Sequence, residues 1–215
     1  ATSPDALEAA ATEPDAVILD TRKPAEFGTG FIPNSINIGV DGSFAVWVGT
    51  LITDIKQNIL LVTTPGKEQE VITRLARVGY DHAIGYLDGG FDAWKNAGKE
   101  TDSIVSVSVD EFAAAEEKDA SINILDVRKK SEYDSEHIEN ALNAPLDFIN
   151  NSMSQIDKSK TYYVHCAGGY RSMIFASIMK ARGFDNLIDV DGGFAAIKKS
   201  GKFKITVYVC PSTLL

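Results

Sequence analysis

The chain repeats itself, and that constrains its fold more than any other feature of the sequence. Val17-Ile18-Leu19-Asp20-Thr21-Arg22 returns 106 positions later as Asn123-Ile124-Leu125-Asp126-Val127-Arg128. At the same offset Glu26-Phe27 returns as Glu132-Tyr133, and Ile32-Pro33-Asn34-Ser35-Ile36-Asn37 as Ile138-Glu139-Asn140-Ala141-Leu142-Asn143. Arg77-Val78-Gly79-Tyr80-Asp81 matches Ala181-Arg182-Gly183-Phe184-Asp185 at 104, and Asp88-Gly89-Gly90-Phe91 matches Asp191-Gly192-Gly193-Phe194 at 103. Gly98-Lys99 matches Gly201-Lys202, also at 103. So steady an offset marks a tandem duplication of a unit of about 100 residues. The 215 residues are therefore expected to form two small domains rather than one large one. The sequence places them at 1–101 and 104–205, with a linker between Gly98 and Ser108 and a tail over 206–215.

Composition then removes whole classes. At 44% hydrophobic and 24% charged, with 17 Gly and 7 Pro, the chain is neither disordered nor collagenous. A formal charge of −9 argues against nucleic acid or an anionic membrane as partner. No apolar run approaches the roughly 18–20 residues that span a bilayer, and Ala1-Thr2-Ser3-Pro4-Asp5 is not a signal peptide. Lacking an initial Met, the chain is expected to be processed or cut from something longer. Two cysteines, Cys166 and Cys210, cannot build a disulfide framework, which fits a reducing cytoplasm. The three histidines, His82, His137 and His165, show no zinc spacing, so neither metal nor cofactor is expected.

Within each copy, strands and helices alternate. Ser108-Val109-Asp110-Glu111 has the spacing of a capping box and predicts a helix to about Lys118; Ser3-Pro4 opens its counterpart. Val17–Asp20 and Ile122–Val127, Ile59–Thr63 and Thr161–His165, and Ala83–Leu87 and Leu187–Val190 read as paired sets of buried strands. Glu68–Val78 and Ser172–Arg182 read as helices. The predicted class is α/β: two domains, each a mostly parallel sheet with helices on both faces. Ligands of such sheets bind at the carboxyl ends of the strands. Those ends lie just after Val62 and Val164.

The second copy runs Tyr163-Val164-His165-Cys166-Ala167-Gly168-Gly169-Tyr170-Arg171-Ser172 into an apolar helix. Gly168 and Gly169 let successive N–H groups turn inward as an anion-binding nest. The helix start behind them adds free N–H groups and partial positive charge. Both effects favour thiolate over thiol, so Cys166 is expected to be a nucleophile near neutral pH. Arg171 supplies a planar, permanently charged donor fork. A lone buried cysteine is ordinarily a small hydrophobe; strand, glycine pair, arginine and helix together select the nucleophile.

Cys166-Ala167-Gly168-Gly169-Tyr170-Arg171 resembles the active loop of the rhodanese sulfurtransferases, which runs six residues from Cys to Arg. Leu125-Asp126-Val127-Arg128, Glu136-His137-Ile138-Glu139-Asn140-Ala141 and Asp191-Gly192-Gly193-Phe194 support the resemblance, which covers almost the whole chain twice. Ile197 stands where the family often has Trp, whereas the first copy keeps Trp94. Cysteine phosphatases place five residues between Cys and Arg; here four intervene, and no general-acid Asp is assignable. The resemblance implies ping-pong sulfur transfer from thiosulfate or a small persulfide, through a Cys166 persulfide, to a low-molecular-weight thiol or cyanide. Arg171 would orient the anionic donor. Ala167, Gly168, Gly169, Tyr170 and Ser172 would line the substrate, and Asp126 and Arg128 would support the sheet end. His165 and His137 are expected to be packing residues.

The first copy has Thr63-Thr64-Pro65-Gly66-Lys67-Glu68-Gln69-Glu70 in the equivalent place. The offset there drops to 102, so its loop is about two residues shorter. Thr64 replaces the cysteine, and a threonine hydroxyl without a base is a poor nucleophile. The first domain is expected to be a scaffold or docking domain, with residual ligand binding as the lesser alternative. It also carries most of the charge, with 15 acidic and 8 basic residues in 1–103. Cys210 reads as a tail cysteine, with a resolving thiol as the alternative. An inactive copy before an active one also resembles fusions in which a metallo-β-lactamase-like persulfide dioxygenase domain comes first. A non-catalytic module that binds partners or senses persulfide, and a cysteine phosphatase, stay open beside the sulfurtransferase.

Overall fold

The structure, a computed structural model, describes residues 1–207. The chain divides into two compact units. The first holds Ala1–Ile104 with the short stretch Lys180–Gly183, and the second holds the remaining described residues.

In the first unit the order is α1 (Pro4–Ala11), β1 (Ala16–Asp20), α2 (Pro24–Thr29), β2 (Ile36–Asn37), α3 (Phe44–Leu51), β3 (Asn58–Val62), α4 (Glu68–Ala76), β4 (Ala83–Tyr86) and α5 (Gly90–Asn96). The four strands form one sheet in the order β2-β1-β3-β4, all parallel. Beyond β4, Thr2 makes a parallel bridge to Leu87.

The second unit contains β5 (Ser106–Val107), α6 (Val109–Lys118), β6 (Asn123–Asp126), α7 (Lys130–Ser135), β7 (Glu136–Ile138) and β8 (Leu142–Asn143). After these come α8 (Ile149–Ser152), β9 (Tyr162–His165), α9 (Tyr170–Ala181), β10 (Leu187–Val190), α10 (Gly193–Ser200) and β11 (Ile205–Val207). Its main sheet is β5-β10-β9-β6-β8, again parallel throughout. Strand by strand this is the first sheet, with the Thr2 bridge grown into β5. The antiparallel pair of β7 and β11 likewise has its counterpart in a single antiparallel bridge between Phe31 and Asp102.

Local chemistry explains the starts of both units. Ser108 accepts from the Glu111 N–H at 3.2 Å while Glu111 accepts from the Ser108 N–H at 2.8 Å, the reciprocal cap that the spacing predicts. Ser3 caps α1 with Pro4 in its first turn. Burial repeats by position. Leu7, Ile18, Ile32, Leu87, Phe91 and Trp94 in one core stand where Phe112, Ile124, Ile138, Val190, Phe194 and Ile197 stand in the other. Residues 206 and 207, assigned to the tail by sequence, continue β11, whereas Cys210 lies outside the described residues. Among the described residues no helix is long and apolar enough to cross a membrane.

Candidate active site

Strand β9 is buried between β6 and β10, and it delivers Cys166 to the carboxyl end of the sheet. The loop is short: α9 begins at Tyr170, two residues before the sequence pattern places it, and so takes Tyr170, Arg171 and Ser172 into its first turn. Cys166 is buried and in no disulfide. The Gly169 N–H donates to its Sγ at 3.1 Å, and Gly169 holds φ at +99°, a conformation that glycine adopts without strain. A backbone donor aimed at sulfur stabilises charge on that atom.

The loop is fastened from the opposite side by α10. Phe194 N–H donates to the Cys166 carbonyl at 2.7 Å, and Ala195 N–H to that of Ala167 at 3.1 Å. This close approach explains the repeated Asp-Gly-Gly. A Cβ on Gly193 would lie 2.6 Å from the Cys166 carbonyl oxygen and 2.8 Å from the Gly168 nitrogen. Only glycine fits.

Arg171 is held elsewhere than the sequence suggests. Its Nη1 and Nη2 donate to the two carboxylate oxygens of Glu132 at 2.6 and 2.9 Å, a bidentate ion pair across 39 residues. Hydrogen bonding to Glu132 raises the Arg171 pKa, and the nearby Cys166 pushes in the same direction. Arg171 in turn holds the Glu132 carboxyl below its ordinary value. The fork expected for substrate is thus already docked on a carboxylate that α7 presents. Sequence reasoning missed Glu132 as a site residue. Its one signal was the return of Glu26-Phe27 as Glu132-Tyr133.

Asp126 and Arg128 form a buried pair beneath the loop. Arg128 Nη2 donates to Asp126 at 2.6 Å and to the Glu136 carbonyl at 2.7 Å, and its guanidinium lies 3.9 Å from the Phe194 ring centroid. The first unit repeats this with Asp20, Arg22, the Gly30 carbonyl and Phe91. The arrangement is thus present in both copies. His165 is fully buried, and burial lowers its pKa, so it is neutral beside Asp126. His137 stacks on Tyr133 with ring centroids 3.7 Å apart.

Behind the loop, Ser172 donates to the Gly169 carbonyl at 3.2 Å. Next to it lies Asp189, a buried carboxyl that accepts from Ser106 at 3.2 Å and whose pKa burial pushes up to about 6. Among the described residues no group of three or more His, Cys, Asp or Glu is placed to hold a metal ion.

Residues 3–97 and residues 108–200 each match the Rhodanese-like domain family. The chain belongs to the rhodanese family. Similar proteins include one of Bacillus subtilis named as a sulfur carrier, 29% identical over 126 residues that make up 59% of this rhodanese and 60% of the relative. A tRNA sulfurtransferase of Thermoplasma acidophilum is 34% identical over 91 residues, or 38% of this chain and 18% of that one. The chain therefore spans less than two thirds of either relative. A thiosulfate sulfurtransferase structure from Pseudomonas aeruginosa covers 97% of this rhodanese and 43% of its own length, at 20% identity and a TM-score of 0.43. Sulfurtransferase-type function is supported for this rhodanese at the level of the family.

Proposed function

We propose that the second unit moves a sulfane sulfur from thiosulfate or a small persulfide to a thiol, through a persulfide on Cys166. The observation that carries this is the Gly169 N–H on Cys166 Sγ at 3.1 Å, at the base of a four-residue bridge from Cys to Arg. The thiolate attacks the outer sulfur of the donor. The donor's S–S bond breaks, and sulfite or a thiolate leaves with the electron pair. The terminal sulfur of the new persulfide then carries the charge that the loop N–H groups face. A second thiolate, or cyanide, attacks that sulfur and releases the Cys166 thiolate. Every step exchanges one S–S or C–S bond for another without net oxidation.

Arg171, fixed by Glu132, acts in this reading as a charge at the rim of the loop. The donor is a small anion and the acceptor a low-molecular-weight thiol; a nucleic acid or a membrane has no part. Mass spectrometry after donor treatment should show a gain of one sulfur atom on Cys166. The gain should vanish on addition of cyanide or a thiol, and Cys166→Ser should abolish both the gain and turnover. Labelling without turnover by thiosulfate or glutathione persulfide would favour a persulfide sensor. Hydrolysis of an aryl phosphate dependent on Cys166 would overturn the reading in favour of a phosphatase.

A further inference from the structure

The first unit has lost the nucleophile but kept the cleft. A space of about 380 Å³ lies at the carboxyl end of its sheet, with Arg22, Glu26, Thr63, Thr64, Phe91 and Lys95 among its lining residues. Its electrostatics are inverted relative to the second unit. Where Glu132 is neutralised by Arg171, its counterpart Glu26 makes no such pair: at the offset of 104 that holds beyond the shorter loop, Lys67 stands where Arg171 does, and it is engaged by Asp41 at 2.9 Å. The two cations in the cleft are already engaged: Arg22 by Asp20 at 2.6 Å, and Lys95 by Asp92 at 2.8 Å. Among the described residues the Glu26 carboxylate has no ion-pair partner.

The anion cradle is closed as well. In the second unit a loop N–H donates to the cysteine sulfur; in the first, the Gly66 N–H donates to Glu68 Oε1 at 3.0 Å. An incoming anion would find that donor taken and would meet Glu26 besides. At the base of the cleft Thr63 is 1% exposed, and its hydroxyl has no hydrogen-bond partner. An unpaired buried hydroxyl is unfavourable, and a polar group entering the base of the cleft would offset that cost.

We propose that this cleft binds a small primary ammonium compound carrying a hydroxyl or amide, with the ammonium on Glu26 and the polar end toward Thr63. The proposal does not rest on sulfur transfer by Cys166.

The test uses the full chain, labelled with nitrogen-15 and titrated at constant ionic strength with ethanolamine, and in parallel with acetate and thiosulfate. Ethanolamine should move the Thr64, Gly66 and Gly89 amides along saturable curves and leave Gly169 in place. Glu26→Gln should weaken that binding by about fivefold or more, roughly the worth of one exposed charge pair. Thr63→Val should weaken it too and, by removing an unpaired buried hydroxyl, should not lower the thermal midpoint, while both variants keep the parent's sulfur transfer. Movement of these amides by thiosulfate but not ethanolamine, by none of the three, or equally in Glu26→Gln, would overturn the proposal.

Discussion

Glu132 and Asp189 are two carboxylates that meet the active loop without belonging to it, Glu132 through Arg171 and Asp189 behind Ser172. The Glu132–Arg171 pair is partly buried, with side chains 35% and 17% exposed. Glu132→Gln should therefore cost about 1–2 kcal/mol, between the values of exposed and buried pairs. The same change frees a guanidinium for an anionic donor. Steady-state kinetics should show KM for thiosulfate falling severalfold with a smaller change in kcat; a raised KM would show that Glu132 serves substrate binding only by holding Arg171 in place. Asp189 works through pH. Its folded-state pKa, about 6, exceeds the ordinary 3.8, so between these values the folded chain binds more protons than the unfolded one. Stability is highest below the unfolded value and falls as pH rises from about 4 to 6. Asp189→Asn should remove that loss and stabilise the protein by about 1–3 kcal/mol at pH 8, with little gain at pH 4. Urea melts at the two pH values check this, and an equal gain at both would refute it. The spacing of Cys166 and Arg171 is local, so both were readable from the sequence. Glu132 and Asp189 meet the loop only after folding, from 39 residues before Arg171 and from a neighbouring strand, and a linear pattern does not show that.

At the scale of elements, most buried strands and the helices with a clear start or stripe were legible, whereas the eight-residue helices α3 and α10 and the shortest elements were not. Strands β1, β3, β6, β9 and β10, and helices α1, α4, α6 and α9, fall within a residue or two of their predicted positions, because burial imposes an apolar run or a helical stripe. Strands of two or three residues, such as β2, β7 and β8, and the helices α2, α7 and α8 carry too few residues to show a period. The Asp-Gly-Gly repeat was visible in the sequence, but its purpose depends on α10 packing against the loop. Gly193→Ala tests that purpose. With φ at +57° and a Cβ 2.6 Å from the Cys166 carbonyl oxygen, the variant must move either the loop or the helix. It should cost about 2–4 kcal/mol and lower sulfur transfer more than tenfold. Gly201→Ala is the control. It shares a positive φ of +66°, but its Cβ meets nothing within 4 Å, so it should cost about 1 kcal/mol and leave the kinetics unchanged. Equal kinetic effects from the two would mean that backbone strain, not contact with the loop, makes Gly193 necessary.

The whole molecule is one fold used twice, with a cysteine at only one of the two equivalent strand ends, and the question at this scale is what would confine the proposed chemistry to that copy. Loss of a single side chain is one answer: Thr64 stands where Cys166 does. The structure gives a fuller one. Both units keep the same sheet order, the same Asp–Arg pair at the strand end and the same aromatic residue beneath the guanidinium. The loops differ instead. The first is about two residues shorter, its loop N–H is taken by Glu68, and Lys67 stands where Arg171 does. Restoring the thiol alone should therefore restore nothing. In the double variant Cys166→Ser, Thr64→Cys, the new thiol would sit beside carboxylates, with no N–H aimed at it. Its thiosulfate:cyanide transfer should equal that of Cys166→Ser alone, and donor treatment should add no sulfur to residue 64. Transfer above the single variant's background would mean that the fold's common features suffice and the loop's donors do not decide. Grafting Ala167 through Arg171 after that cysteine, in place of Pro65 through Lys67, would add the two missing residues, supply the glycine pair and set an arginine opposite Glu26. If loop geometry confines the chemistry, this longer replacement should yield measurable persulfide in the first unit where the single residue does not.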